Sequence, residues 1–204
     1  MFPTNQKSPV ESSSSATKAA SPSNKSNPLM QLFTDGLKDM LWSEEAIVDG
    51  LKKLQKAADN TMLLEAFEEH EIETKKHISR LEKAFESIGM APQKKKCAAM
   101  EGILKEADEI IKSTPENSAT RDAGLIIAAQ KVEHYEIASY GGLVALAHTL
   151  QLTKVANRLQ QTLDEEEYAD LNLTEIAETE INFDASEEGR EQQGETQHST
   201  PTEI

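Results

Sequence analysis

The chain has 204 residues and a formal net charge of −15; 37% of residues are hydrophobic and 28% charged, but only 4% are aromatic, with 9 Gly and 7 Pro. That balance suits one helical domain with polar extensions and excludes a β-sandwich or barrel, whose strands need aromatic and β-branched residues punctuated by frequent turns. The opening residues hold no continuous apolar stretch of the kind a secretion signal needs, and no later segment is long and apolar enough to span a bilayer. With Cys97 as the single cysteine, an internal disulfide is impossible, and a cytoplasmic protein is expected.

Charge is unevenly spread. The first thirty residues carry a net charge of +2, residues 178–204 carry −7, and the stretch between carries −10. A field of that sign repels phosphate backbones and anionic lipid, so neither nucleic acid nor membrane is expected as a partner, whereas metal cations are.

Residues 1–28 are rich in Ser, Asn, Lys and Pro and almost devoid of large apolar side chains. They cannot bury enough surface to offset ordering entropy and read as a disordered tail. Four long helical patterns follow, at 29–58, 61–88, 118–149 and 153–177. Thr61 reads as the N-cap of the second, with Glu65 nearby, and Thr153 begins the fourth. Short links fold the first and second, and the third and fourth, into antiparallel hairpins. The join at 89–117 opens with a Pro92 turn and contains MEGILKEADEIIKST, whose apolar residues line one face of a short helix. Residues 179–204 read as a second, acidic disordered tail in which His198 is solvated. The expected domain is therefore residues 29–178, an all-α, ferritin-like antiparallel four-helix bundle with a long helical crossover between its second and third helices.

Each core seam is interrupted. On a four-three repeat the first helix presents Leu37, Leu41, Glu44, Val48 and Leu51. The second presents Leu63, Phe67, His70, Thr74, His77 and Leu81, with Glu73 flanking the gap. The third reads Ile126, Gln130, Glu133, Ile137 and Tyr140, with Glu136 one turn from Glu133. The fourth reads Leu159, Leu163, Glu166, Asp170 and Leu173. These polar positions lie near the four helix midpoints, which share one height in an antiparallel bundle. A single inward Glu is ordinarily a boundary residue and a single inward His a hydrogen-bonded core residue. Four seams broken at one depth form a layer.

A buried carboxylate layer is tolerable if it is protonated, filled with water or neutralised by cations. No Lys or Arg occupies an inward position at that depth in these registers. Two divalent ions would supply the missing charge, and carboxylate with imidazole is the donor set expected for non-haem iron or manganese. The metal reading therefore assigns Glu44, Glu73, His77, Glu133, Glu136 and Glu166 as ligands of two iron or manganese ions, with His70 and Asp170 binding directly or orienting the ligands.

Other features are plainer. Lys94, Lys95 and Lys96 read as a solvated run, Cys97 has no redox assignment, and Trp42 and Tyr140 read as core filling. Gly141 and Gly142 suggest a close helix approach or a kink. The third helix is apolar beyond one stripe, adding Leu125, Ile127, Leu143, Ala145 and Leu146. It lies under the crossover or in a homodimer interface, and a homodimer is expected. No phosphate-binding glycine loop, paired-cysteine zinc spacing or nucleophile elbow is present.

The segments LKDMLWSEEAI, HEIETKKHISRLEKAFE, KVEHYEIASYGGL and LQQTLDEEEYADLNLTEIA resemble the YciE/YciF stress-protein family over most of residues 31–178. The resemblance implies a ferritin-like fold related to rubrerythrin, a dinuclear metal site, frequent homodimers and induction under stress in bacteria. It carries the family's acids and imidazoles onto Glu44, the cluster His70, Glu73 and His77, then Glu133, Glu136 and Glu166. A ferritin-like template places a Glu-x-x-His pair on two helices; here Glu166 is followed by Ala169 and Asp170, with no His. The resemblance supplies no reaction. A redox enzyme acting on oxygen or peroxide and a non-catalytic metal-sequestering or structural bundle both remain open.

Overall fold

A computed structural model describes residues 27–195 of the chain, and the expected tails at 1–26 and 196–204 lie outside the described residues. Helices α1 (Pro28–Ala57), α2 (Thr61–Ser87), α4 (Ala119–Thr149) and α5 (Thr153–Ile176) are the four long elements, with α3 (Ala98–Ser113) in the crossover. Local chemistry sets their starts. Asn27 accepts a hydrogen bond from the Leu29 N–H at 2.9 Å with Pro28 in the first turn, and Ser118 accepts from the Arg121 N–H at 3.1 Å. The N-cap of α2 is Asn60, accepting from Leu63 N–H at 3.1 Å, not Thr61; Asn offers the same side-chain acceptor one residue earlier. At the far end of α2 the chain turns at Gly89, whose φ of 74° favours a residue without Cβ.

The helices pair as α1 with α2 and α4 with α5, and α2 on α5 and α1 on α4 close the bundle. The crossover runs along α1, held by Lys94 to Glu45 at 2.7 Å and by the Lys95 N–H to the Lys38 carbonyl at 3.1 Å. It delivers α3 onto α1 and α4. Two glycines make that seat: a Cβ on Gly124 would lie 2.7 Å from Ile110, and one on Gly50 2.9 Å from Leu104. The close approach expected at Gly141 and Gly142 is not found, since nothing lies within 4 Å of a Cβ at either position, and α4 runs through both. Of the extra apolar residues on α4, Leu125 and Leu143 are buried within the chain while Ile127 is 55% exposed.

Helical structure also continues beyond residue 178, correcting the expected acidic tail as far as residue 195. A π-helical turn, Ala177–Ile181, leads into α6 (Asn182–Glu195). Ile181 is buried in the core, and the Glu188 carboxylate accepts from the Ala119 and Thr120 N–H groups at 2.8 and 3.1 Å. An acid there meets the exposed donors and positive dipole end of α4. Asp122, one turn on, accepts from the Asp59 and Asn60 N–H groups at 3.0 and 2.8 Å and so ties the α1–α2 link to α4.

The core divides into two apolar clusters. One contains Ile47, Leu51, Leu63, Phe67, Val132 and Leu173; the other contains Leu37, Leu41, Leu81, Tyr140, Leu159 and Leu163. On every long helix the chain passes from one cluster to the other across a polar gap: Glu44 on α1, His70 to His77 on α2, Glu133 to Glu136 on α4 and Glu166 on α5. Among the described residues no helix is long and apolar enough to cross a membrane.

Candidate metal centre

The polar gaps meet. Glu44, His77, Glu136 and Glu166 are fully buried, Glu133 is 2% exposed and His70 6%. Their donor atoms form two groups, each within 4.8 Å: His70, Glu133, Glu136 and Glu166 in one, and Glu44, His77 and Glu166 in the other. Glu166 belongs to both. Its Oε2 lies 3.6 Å from His70 Nε2, and its Oε1 lies 2.8 Å from His77 Nδ1. The two imidazole centroids are 6.4 Å apart, closer than the roughly 10 Å that two helical turns separate their positions, so the rings lean toward each other.

Nine buried side-chain nitrogen and oxygen atoms among the described residues make no hydrogen bond of acceptable geometry, and all nine belong to these six side chains, which meet one another only as ion pairs: His77 Nδ1 with Glu166 at 2.8 Å and Glu44 at 3.6 Å, and His70 Nε2 with Glu133 at 3.4 Å. Both oxygens of Glu136 and of Glu166 and both ring nitrogens of His70 are among them. Orphaned buried polar atoms are costly, about 1–3 kcal/mol each and more when charged. Their concentration on oxygen and imidazole donors fits transition-metal ligation. The charge also fits, because four carboxylates with neutral imidazoles balance two divalent ions.

Electrostatics report the same crowding. Burial, then the neighbouring Glu166, Glu44 and Glu133 charges, pushes the Glu136 carboxyl well above its usual range. Glu166 is raised to about 7, with burial outweighing the favourable contact with His77. Burial alone would lower the histidines, but the surrounding carboxylates prevail. His70, facing Glu133, Glu73 and Glu166, is held well above the ordinary value, and His77 rises to about 10 beside Glu166 and Glu44. Without metal, protons perform part of the neutralisation.

The supporting contacts were not legible in the sequence. His77 Nε2 shares a 2.8 Å hydrogen bond with Glu165, whose two oxygens accept from Arg80 at 2.6 and 2.7 Å. A carboxylate only accepts, so Nε2 carries the proton and Nδ1 faces the centre. Arg80 is the cation that the inward-register reading lacked. Glu165 sits in the run Asp164 to Glu167, where an acid points in every direction, so periodicity could not single it out. Tyr140, expected as core filling, is fully buried and donates its hydroxyl proton to Glu44.

Glu73, expected as a ligand, and Asp170, expected to bind directly or to orient the ligands, stand apart from both groups. Thr74 takes the inward slot between the histidines, turning Glu73 to the flank, where its side chain is 32% exposed and 3.9 Å from His70 Nδ1. Asp170 lies further out, 3.2 Å from the exposed His134 and 3.4 Å from the Gln130 amide.

Fold and site together define a ferritin-like helical bundle with a buried His–carboxylate centre. The chain belongs to the family described as a domain of unknown function, DUF892, which matches residues 28–186. Protein YciF of Escherichia coli K12 is 44% identical over 152 residues, covering 74% of this chain and 91% of that protein. The crystal structure of the E. coli stress protein YciF superposes with a TM-score of 0.72 at 43% identity, covering 76% of this chain and 97% of that one. YcfI from Rhodopseudomonas palustris gives a TM-score of 0.71 at 35% identity over 72% of this chain and 94% of the other.

Proposed function

We propose that this chain is a ferritin-like stress-response protein whose buried centre binds two iron or manganese ions and reacts with dioxygen or hydrogen peroxide. The observation that carries the reading is the set of nine buried donor atoms, without well-formed hydrogen bonds and facing only one another, on six side chains drawn from four helices. A reduced metal pair would supply the two electrons that, with two protons, convert hydrogen peroxide to water. Glu44, Glu133, Glu136 and Glu166 neutralise the cations, with Glu166 placed to serve both. His70 and His77 offer ring nitrogens, Glu165 fixes the orientation of His77, and the Tyr140 hydroxyl holds one oxygen of Glu44. Apolar clusters above and below keep bulk water out, which strengthens each of these interactions. The stress role is supported by likeness to the E. coli stress protein, and the buried, unpaired Cys97 suits the cytoplasm.

A second reading keeps the metals but not the reaction. Every residue of the two groups is buried, which also suits a sequestering or structural site. Anaerobic ferrous loading separates the two. Uptake of about two ions per chain, with absorbance changes on adding oxygen or peroxide that are lost in Glu166→Ala, supports the redox reading. Bound iron that stays ferrous and inert supports sequestration, and a protein that folds normally yet takes up no metal overturns both.

A further inference from the structure

The two halves of the centre are unlike. On the His77 side Tyr140 holds Glu44, while Glu165 and Arg80 close over the imidazole. On the His70 side the flanking Glu73 carboxylate stands 3.9 Å from Nδ1, and among the described residues no tyrosine or arginine hydrogen-bonds to the ring. A crevice of about 20 Å³ reaches His70 and Glu133 between α2 and α5, walled by Ala66, Phe67, Ala169 and Asn172. Ala66, Ala169 and Asn172 are half-buried, so its mouth meets the surface, while His70 and Glu133 form its buried floor. Neither ring nitrogen of His70 makes a well-formed hydrogen bond, nor does one oxygen of Glu133; the ring is approached only by carboxylates, Glu133 at 3.4 Å, Glu166 at 3.6 Å and Glu73 at 3.9 Å.

The side chain at residue 169 explains the opening. It lies one turn beyond Glu166 on the same face of α5, where a longer side chain would fill the crevice or supply another donor. Alanine does neither. The volume is little more than the roughly 10–15 Å³ that one water-sized occupant needs, so the crevice admits a narrow ligand only end-on and leaves no room for an organic group.

Resting on the metal reading above, we propose that the crevice between Ala66 and Ala169 is the access route and binding site for a two- or three-atom exogenous ligand, which reaches the centre only on its His70 side. The ligand class is dioxygen, peroxide or a small linear anion. Organic substrates are excluded by size.

The test uses the full chain loaded with Co²⁺ and titrated with azide, read by the visible absorption of the bound cobalt, with acetohydroxamate as a bulkier competitor. The wild-type protein is expected to respond to azide but not to acetohydroxamate. Ala169→Leu and Ala66→Leu, which fill opposite walls, are expected to keep their cobalt stoichiometry and lose at least tenfold in azide affinity or binding rate. Ala138→Leu, an exposed change on α4, is expected to behave as wild type. An equal azide response in either wall variant that loads cobalt overturns the proposal, as does acetohydroxamate binding by the wild type, which needs no variant to fold. Wild-type protein that takes up cobalt but ignores azide removes this site while leaving a metal centre. Failure to take up any metal removes the metal reading and this proposal together.

Discussion

Replacing Glu136 with methionine sets stability against metal binding. Glu136 is fully buried, neither carboxylate oxygen has a partner, and burial among three other acids raises its carboxyl well above the usual range. In metal-free protein burial and the neighbouring acids favour its neutral form, and its polar atoms, with only other acids beside them, cost about 1–3 kcal/mol. Methionine matches its length, fills an irregular space and carries no comparable polar demand. Buried ionic clusters replaced by apolar side chains of similar volume are often neutral or gain about 1–4 kcal/mol. In the presence of chelator, Glu136→Met should therefore stabilise the protein by about 1–3 kcal/mol, a rise in Tm of roughly 2–4 °C per kcal/mol for a domain of this size. Metal has the opposite consequence. Ligand at a hundredfold excess over Kd stabilises a folded protein by about 2.7 kcal/mol, and the variant, short of a donor, should lose most of that increment. Thermal melts with chelator and with Mn²⁺ measure both quantities. A variant less stable than wild type by more than about 1 kcal/mol in chelator, or one retaining the full metal-induced rise, would refute the reasoning.

The metal-free protein should lose stability as pH rises. His77, raised in the folded state to about 10 from 6.5, contributes stability present below pH 6.5 and lost towards 10; Glu166, raised from 4.5 to about 7, loses its contribution between those values. Melts in chelator at about pH 5, 7 and 9 that show constant or increasing Tm would contradict this. Glu165→Gln should leave the fold intact but weaken metal binding about 10–100-fold by freeing His77; isothermal titration with Mn²⁺ reads the affinity, and an unchanged value would make the Glu165 contact structural only. Asp122→Ala strips the acceptor from the Asp59 and Asn60 N–H groups, costing about 1–2 kcal/mol in urea unfolding. A homodimer formed through the exposed Ile127 face of α4 should appear in light scattering and dissociate in Ile127→Lys, whereas monomer mass for the wild type would assign the apolar character of α4 to the crossover alone.

Periodicity alone determined the helices and the existence of a buried acidic layer. An α-helix repeats every 3.6 residues, so Leu41, Glu44 and Val48, or Phe67, His70 and Leu81, declare which positions face inward without knowledge of any neighbour. Because the four gaps lie near the helix midpoints, which share one height in an antiparallel bundle, their heights could also be compared from residue numbers. What periodicity lacks is rotation finer than one residue. Periodicity put Thr74 on the seam and Glu73 at its flank, about 100° around α2, but not how far the flanking carboxylate reaches; packing against α1 and α5 left Glu73 outside both donor groups. Pairing between helices was likewise beyond reach, since Arg80 with Glu165 and Tyr140 with Glu44 are distant in sequence and meet only when the bundle closes. The same holds for α6, whose polar sequence carries no core-facing stripe. Its connection to the bundle depends on Ile181 reaching the core and Glu188 finding the unsatisfied N–H groups at the start of α4, donors that exist only once α4 has folded beside it.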